Sequence, residues 1–276
     1  MKKQALLVGI NDYNGFNDLQ GCINDVTNVR SVLKTYFGYT NNDIRVLTDS
    51  RATKINILSR LNKMVKSAED GDSLIFHYSG HGSQIRDREG DELKDHMDEI
   101  ICPYDMNWED GFITDDMLRE ILNKLKPGVK MEILLDSCHS GTGTRDIFPD
   151  AMADFESVNL VKSRFLSPPV DIECRHQGDE DKMKPIKSFR TDKEIILNHV
   201  LWAGCKDSQT SADALIDGNY NGAFSYYFCK HVRENGGKIS RADLFTRVKN
   251  SLRYNRYSQV PQLECKETLR KGIIFN

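Results

Sequence analysis

Ser73-Leu74-Ile75-Phe76-His77-Tyr78-Ser79-Gly80-His81-Gly82 and Met131-Glu132-Ile133-Leu134-Leu135-Asp136-Ser137-Cys138-His139-Ser140-Gly141 are two apolar runs that each break into a turn containing glycine. Ser73 to Tyr78 and Met131 to Asp136 read as buried strands. One strand end delivers a histidine and the other a thiol. In an open parallel sheet, ligands gather beyond the carboxyl ends of the strands, where loops present groups into a crevice. If the two strands are neighbours, His81 and Cys138 meet there.

Similar short runs recur at Gln4 to Ile10, Ile44 to Thr48 and His199 to Ala203. Between them lie stretches with helical periodicity. Cys22 to Tyr36 sets Ile23, Val26, Val29, Val32 and Leu33 on one face. Ile55 to Val65 does so with Ile55, Leu58, Leu61 and Val65, and Met117 to Leu125 with Leu118, Ile121, Leu122 and Leu125. Strand and helix in alternation predict an α/β fold whose mostly parallel sheet is covered on both faces. Thr114-Asp115-Asp116 supplies a cap and an acidic first turn to a helix that Pro127-Gly128 is expected to close, and Ser240 caps a last helix over about 241 to 253. Gln259-Val260-Pro261-Gln262-Leu263 reads as a late strand near a sheet edge, because of its proline.

From Thr142 to Lys193 periodicity is lost amid Ser163-Arg164, Pro168-Pro169 and Gly178-Asp179-Glu180-Asp181. The expectation is a single domain over 1–276: a front portion, 1–141, an exposed linker, 142–193, and a rear portion, 194–276. The formal net charge of -3 gives no general electrostatic reason to bind nucleic acid or anionic lipid. The first residues, Met1 to Asp12, read as a core strand rather than a leader, and no apolar stretch approaches a membrane span. The seven cysteines, Cys22, Cys102, Cys138, Cys174, Cys205, Cys229 and Cys265, are scattered without paired spacing, which fits a reducing compartment. A soluble, cytoplasmic protein is expected.

A lone cysteine at a strand end is ordinarily packing, and a lone histidine in a loop is ordinarily solvated. Both together, each beside glycines, point to nucleophilic catalysis by Cys138 with His81 as acid and base. Glycine lets backbone approach a substrate closely, so the amides of Gly82 and Cys138 are candidate donors to a tetrahedral oxyanion. A zinc reading of His77, His81 and His139 is weaker, since His77 and His81 share no helical face; His77 reads as a core strand residue. The chemistry requires no cofactor.

These phrases, with Ala5 to Asp12, Leu19 to Val26 and Ala203 to Ala212, resemble the metacaspases, caspase-like cysteine peptidases of clan CD. The resemblance implies a caspase-like three-layer sandwich and cleavage of peptide bonds after Arg or Lys. It places Asp25, Ser79 and Asp136 in the pocket for the side chain before the cut (P1), and acidic residues beside the two phrases suit a basic P1 group. It also implies calcium as an activator, on Asp98, Asp115, Asp116 and, with the expected position taken by Arg145, Asp146. Caspase-like enzymes often cut themselves between front and rear portions, so Lys162, Arg164, Arg175, Lys182, Lys187 and Arg190 are self-cleavage candidates, whereas Lys184 precedes a proline. The family further implies a monomer acting on protein or peptide substrates. Two other readings stay open: a silent caspase-like scaffold that binds proteins, and a clan CD peptidase with different P1 specificity.

Overall fold

The computed structural model describes residues 1–14, 17–86, 97–138, 161–173, 199–206 and 209–276. In chain order these form β1 (Lys3–Gly9), α1 (Cys22–Tyr36), β2 (Ile44–Thr48), α2 (Lys54–Lys66), β3 (Ser73–Ser79), β4 (Gly82–Arg86), β5 (Met97–Ile101), β6 (Ile113–Thr114), α3 (Asp115–Leu122) and β7 (Lys130–Asp136). There follow β8 (Val161–Ser163), α4 (Val170–Glu173), β9 (Val200–Ala203), β10 (Ala212–Ile216), β11 (Asn219–Gly222), α5 (Ala223–Glu234), α6 (Arg241–Tyr254), β12 (Gln262–Glu264) and α7 (Glu267–Arg270).

Six strands make the central sheet in the order β12-β9-β7-β3-β1-β2. All its pairs are parallel except β9 with β12. Successive side chains of a strand point to opposite faces, and here both faces are buried. Ala5, Leu7, Ile75, Leu134, Val200 and Trp202 join α1, α5 and α6 in one apolar cluster, while Leu6, Val8, Leu74, Phe76, Met131 and Ile133 join α2 and α3 in the other. Burial on both sides explains why these strands read as continuous apolar runs. The result is three layers of the expected α/β class.

Caps follow the sequence: Thr53, Thr114 and Ser240 each accept from the backbone amide three residues on. Two boundaries differ from expectation. α3 stops at Leu122, and single-turn bonds from Lys124 to Ile121 and Leu125 to Leu122 carry the chain toward Pro127-Gly128 with Leu125 still buried. The late strand is β12, which begins only after Pro261, a residue that has no amide hydrogen to offer.

Two small three-stranded sheets lie outside the central one, β4-β5-β6 and β11-β10-β8. The β10–β11 hairpin turns on Asp217-Gly218, with φ of 51° and 81°. Two positive φ values make the primed turn that matches strand twist, and Asp-Gly is suited to it. β8 corrects the expected linker: Val161–Ser163 pairs antiparallel with β10, and Arg164 and Leu166 beyond it are buried. This stretch is not an exposed connection, because its backbone has found sheet partners and its side chains have found pockets. Among the described residues no helix is long and apolar enough to cross a membrane.

Candidate active site

β3 and β7 are adjacent and in register, with Ser79 opposite Asp136. His81 and Cys138 therefore each lie two residues beyond a matched pair, at the carboxyl edge where sequence reasoning put them. The turns that carry them touch. A Cβ built on Gly82 would sit 2.1 Å from the carbonyl oxygen of Cys138, so only glycine fits there.

The Cys138 thiol is fully buried, 3.4 Å from the Ser211 carbonyl, and the Ser211 amide also points at its sulfur. The His81 ring is held from several sides. Its Nε2 is 2.5 Å from the Asn17 carbonyl, its ring stacks obliquely on Tyr13 at 4.6 Å, and its amide donates to the Tyr13 hydroxyl at 2.7 Å. A carbonyl can only accept, so Nε2 carries the proton and Nδ1, buried with no partner, is left as the basic nitrogen of the neutral ring. Burial pushes the His81 pKa down, while the Asn17 carbonyl pulls it up. His77, by contrast, is a core residue as expected, fully buried and held down at about 4 by that burial.

The three residues expected to line a P1 pocket are fully buried and converge on one group, the guanidinium of Arg164. Arg164 Nη2 donates to Asp25 Oδ2 at 2.7 Å and to Asp213 Oδ1 at 2.9 Å. Its Nη1 donates to Ser79 Oγ at 2.8 Å and to the Asp136 carbonyl at 3.1 Å, with Asp136 Oδ2 at 3.3 Å. Ser79 in turn donates to Asp25 at 2.8 Å. Burial pushes the Asp25 carboxyl up to about 7, against the pull of Arg164. A Cβ on Gly222 would lie 2.2 Å from Asp136 Oδ2 and 2.5 Å from Arg164 Nη1, so the pocket also needs that glycine.

The backbone of Arg164 is held as firmly as its side chain. Its amide donates to the Ser211 carbonyl at 3.0 Å, and its carbonyl accepts from the Gly82 amide at 2.9 Å. Of the two expected oxyanion donors, Gly82 is the one placed on this carbonyl. β8, immediately before Arg164, lies along β10 as an added strand, in the manner of an extended peptide recognised at a sheet edge.

Sequence reasoning missed Asp213, a third acid of the pocket. Its only signal was position, one residue past the Ala203 to Ala212 stretch already singled out. It also missed Asn17, whose contribution is a main-chain carbonyl and leaves no trace in residue type. Among the self-cleavage candidates, Lys162 is exposed with its Nζ on the Asp18 carbonyl at 2.8 Å, and Arg164 is buried. Arg175, Lys182, Lys187 and Arg190 lie outside the described residues.

Of the acids expected to hold calcium, Asp98, Asp115 and Asp116 lie on β5 and α3 and not among the groups around Arg164. Asp98 precedes Ile100, which pairs with Thr114, so it neighbours the start of α3 where Asp115 and Asp116 stand. Asp115 and Asp116 both pair with Arg119, the former at 2.5 Å. Asp146 lies outside the described residues. Among the described residues no group of three His, Cys, Asp or Glu side chains is arranged to hold a metal ion.

In a comparison with known proteins, the family description "Metacaspase, peptidase C14 domain" matches residues 3–145. Metacaspase-1A of Aspergillus terreus is 35% identical over 308 aligned positions, covering 99% of this chain and 73% of that protein. Metacaspase-1 of Ajellomyces capsulatus is 35% identical, covering 99% of this chain and 82% of that protein. Among solved structures, a protein of Geobacter sulfurreducens superposes with a TM-score of 0.71 at 24% identity, covering 100% and 99% of the two chains. Caspase-1 of Spodoptera frugiperda superposes with a TM-score of 0.60 at 12% identity, covering 95% of this chain and 86% of that one, a likeness of fold alone. The central sheet, the paired turns and these relatives agree, and the chain belongs to the metacaspases, cysteine-type peptidases of the C14 class.

Proposed function

We propose that this chain is an endopeptidase that cuts after Arg or Lys through Cys138 and His81, and that the bond after Arg164 is one of its substrates. A single observation carries the reading: a basic side chain fills the acid-lined pocket while its own carbonyl accepts from Gly82 beside the Cys138 turn. Charge-assisted bonds from one Nη2 to two carboxylates favour a guanidinium over apolar groups by several kcal/mol. Carboxylates in the same pocket would repel an Asp side chain.

The chemistry follows from the groups present. His81 Nδ1 takes the Cys138 proton as sulfur bonds to the P1 carbonyl carbon, and the oxyanion draws on the Gly82 amide. The C–N bond then breaks, with the imidazolium returning its proton to the departing amine. Water, deprotonated by His81, attacks the thioester, the C–S bond breaks and the thiol is regained. The Asn17 carbonyl fixes the tautomer this sequence requires and stabilises the imidazolium.

Calcium enters as an activator held by Asp98, Asp115, Asp116 and Asp146. Hard carboxylate oxygens suit that ion, and Asp115 with Asp116 already converge on one cation, the Arg119 guanidinium. Bound there, the ion would supply charge neutralisation and order at the start of α3.

The test is a panel of peptides with Arg, Lys or Asp at P1, with calcium or chelator, on wild type and Cys138→Ala. Cleavage after Arg and Lys only, lost in the variant, supports the reading. Equal cleavage after Asp refutes the pocket, activity in Cys138→Ala refutes the nucleophile, and a rate indifferent to chelator removes calcium.

A further inference from the structure

The contacts of the linker do not stop at Arg164. Phe165 forms a parallel bridge with Gly82, the Leu166 amide donates to the Gly82 carbonyl at 2.9 Å, and the Leu166 carbonyl accepts from Ser83 Oγ at 2.6 Å. Leu166 is 5% exposed and belongs to the apolar cluster that contains Ile85 of β4. Ser83 is itself fully buried. Ser167 is exposed again. Anchoring by side-chain burial thus occurs at two residues, Arg164 and Leu166, one on each side of the bond that would be cut, while Phe165 between them is only half-buried.

We infer that β4 is a substrate subsite beyond the cut: the Gly82 carbonyl and the Ser83 hydroxyl hold the backbone of the second residue after the bond (P2′), and the apolar floor beneath selects a leucine-sized side chain there. The inference rests on the reading of Arg164 as a P1 residue. It extends recognition from a basic residue to a motif, Arg or Lys followed one residue later by Leu. The geometry suits that role because Gly82 grips both sides of the bond, its amide on the P1 carbonyl and its carbonyl on the P2′ amide. An extended peptide held at both points has its scissile carbonyl fixed on Gly82, which packs against the Cys138 turn. The Ser83 hydroxyl reads only backbone, so selection at P2′ comes from burial, and a charged side chain there would be desolvated without a partner.

The experiment uses wild-type protein and an internally quenched peptide of sequence Val-Lys-Ser-Arg-Phe-Leu-Ser-Pro. It is compared with versions bearing Gly or Asp in place of Leu, and with the coumarin amide of Val-Lys-Ser-Arg, which has nothing beyond the bond. Burial of a leucine side chain corresponds to about one to two powers of ten in binding. The Leu peptide is therefore expected to exceed the Asp peptide by at least about tenfold in kcat/KM, with the Gly peptide between. Cleavage is confirmed by mass at the Arg-Phe bond. In Ser83→Ala the advantage of the Leu peptide over the coumarin amide should shrink by about fivefold, the scale of one lost hydrogen bond. Equal rates for Leu, Gly and Asp peptides, with the coumarin amide still cut, would overturn the subsite and leave the Arg reading standing. Failure to cut any of them, coumarin amide included, would overturn both.

Discussion

Replacing Arg164 separates a pocket ligand from an ordinary linker residue. Its guanidinium makes four hydrogen bonds, to Asp25, Asp213, Ser79 and the Asp136 carbonyl. Two of these join charged partners, worth about 1.5–3 kcal/mol each, and removing one partner of a buried ion pair costs about 3–5 kcal/mol. At 1.4 kcal/mol per power of ten, self-cleavage after residue 164 should fall by at least about a hundredfold in Arg164→Ala. Arg164→Lys should fall less, by about tenfold to a hundredfold, because an ammonium is a point charge and cannot span both Asp213 and Ser79 as the guanidinium fork does. The assay follows purified wild type and variants over time by intact mass, looking for a fragment that begins at Phe165. Mass resolution matters, because Lys162 lies two positions earlier on the same strand face and a two-residue slip would bring it to the pocket. A fragment beginning at Phe165, formed by Arg164→Ala within about threefold of the wild-type rate, would refute the reasoning, since no pocket selective for Arg164 could then set the cut.

Asp213→Asn removes one of the two carboxylates on Nη2, and kcat/KM on Arg peptides should fall by about tenfold to a hundredfold, with a change under about threefold refuting its part in specificity. The Asp25 carboxyl is held at about 7, above its ordinary value of 3.8. Its stabilising contribution is therefore complete below pH 4 and is lost as pH rises toward 7, so unfolding free energy in Cys138→Ala should decline across that window and flatten above it. Asp25→Asn should remove that part of the slope in urea titrations at stepped pH, and an unchanged slope would count against the assignment. Far from the site, Glu132 accepts from Arg241 at 2.5 Å, the Phe275 amide at 2.6 Å and Trp202 at 3.0 Å. Glu132→Ala leaves the buried Arg241 charge unpaired and should lower stability by about 3–5 kcal/mol by urea unfolding, with a loss under about 1 kcal/mol refuting the role.

The sheet was legible because its strands are buried on both faces, so that runs such as Leu74 to Phe76 and Ile133 to Leu135 carry almost no polar interruption. The placement of His81 and Cys138 beyond the same edge of the sheet followed from that, since both phrases hang from adjacent parallel strands in equal register. The Asp217-Gly218 hairpin was legible too, from a dipeptide whose two residues adopt positive φ, and went unread. The pocket was legible only in part. Asp25, Ser79 and Asp136 came by resemblance, whereas Asp213 sits 188 positions from Asp25, on a strand whose partner is a segment with no periodicity of its own. A three-residue strand such as β8 is too short to show alternation, so Arg164 looked like one of several basic residues in a loop. Its burial is a consequence of long-range pairing with β10, which a local pattern does not encode.

The acids of the pocket are positioned by the fold and not by the arginine they hold. Asp25 also accepts from the Gly222 amide at 3.0 Å, Asp136 from the Ser225 amide at 3.0 Å and from Ser211 Oγ at 2.7 Å, and Asp213 from the Gln20 and Gly21 amides at 2.7 and 3.0 Å. Gly21 and Gly222 are the cap residues immediately before α1 and α5, and Ser225 lies in the first turn of α5. Helix amino termini carry partial positive charge and unpaired amides, so they stabilise carboxylates whether or not a guanidinium is present. Carboxylates oriented by two helix starts hold their positions independently of Arg164, while the charge of Asp25 is favoured by a cation in the pocket, since burial raises its carboxyl and Arg164 pulls it down. On the proposed reading Arg164 is the first occupant of a reusable pocket, and the cost of replacing it should fall on docking of the segment around it, with the central sheet and the Cys138 turn left intact.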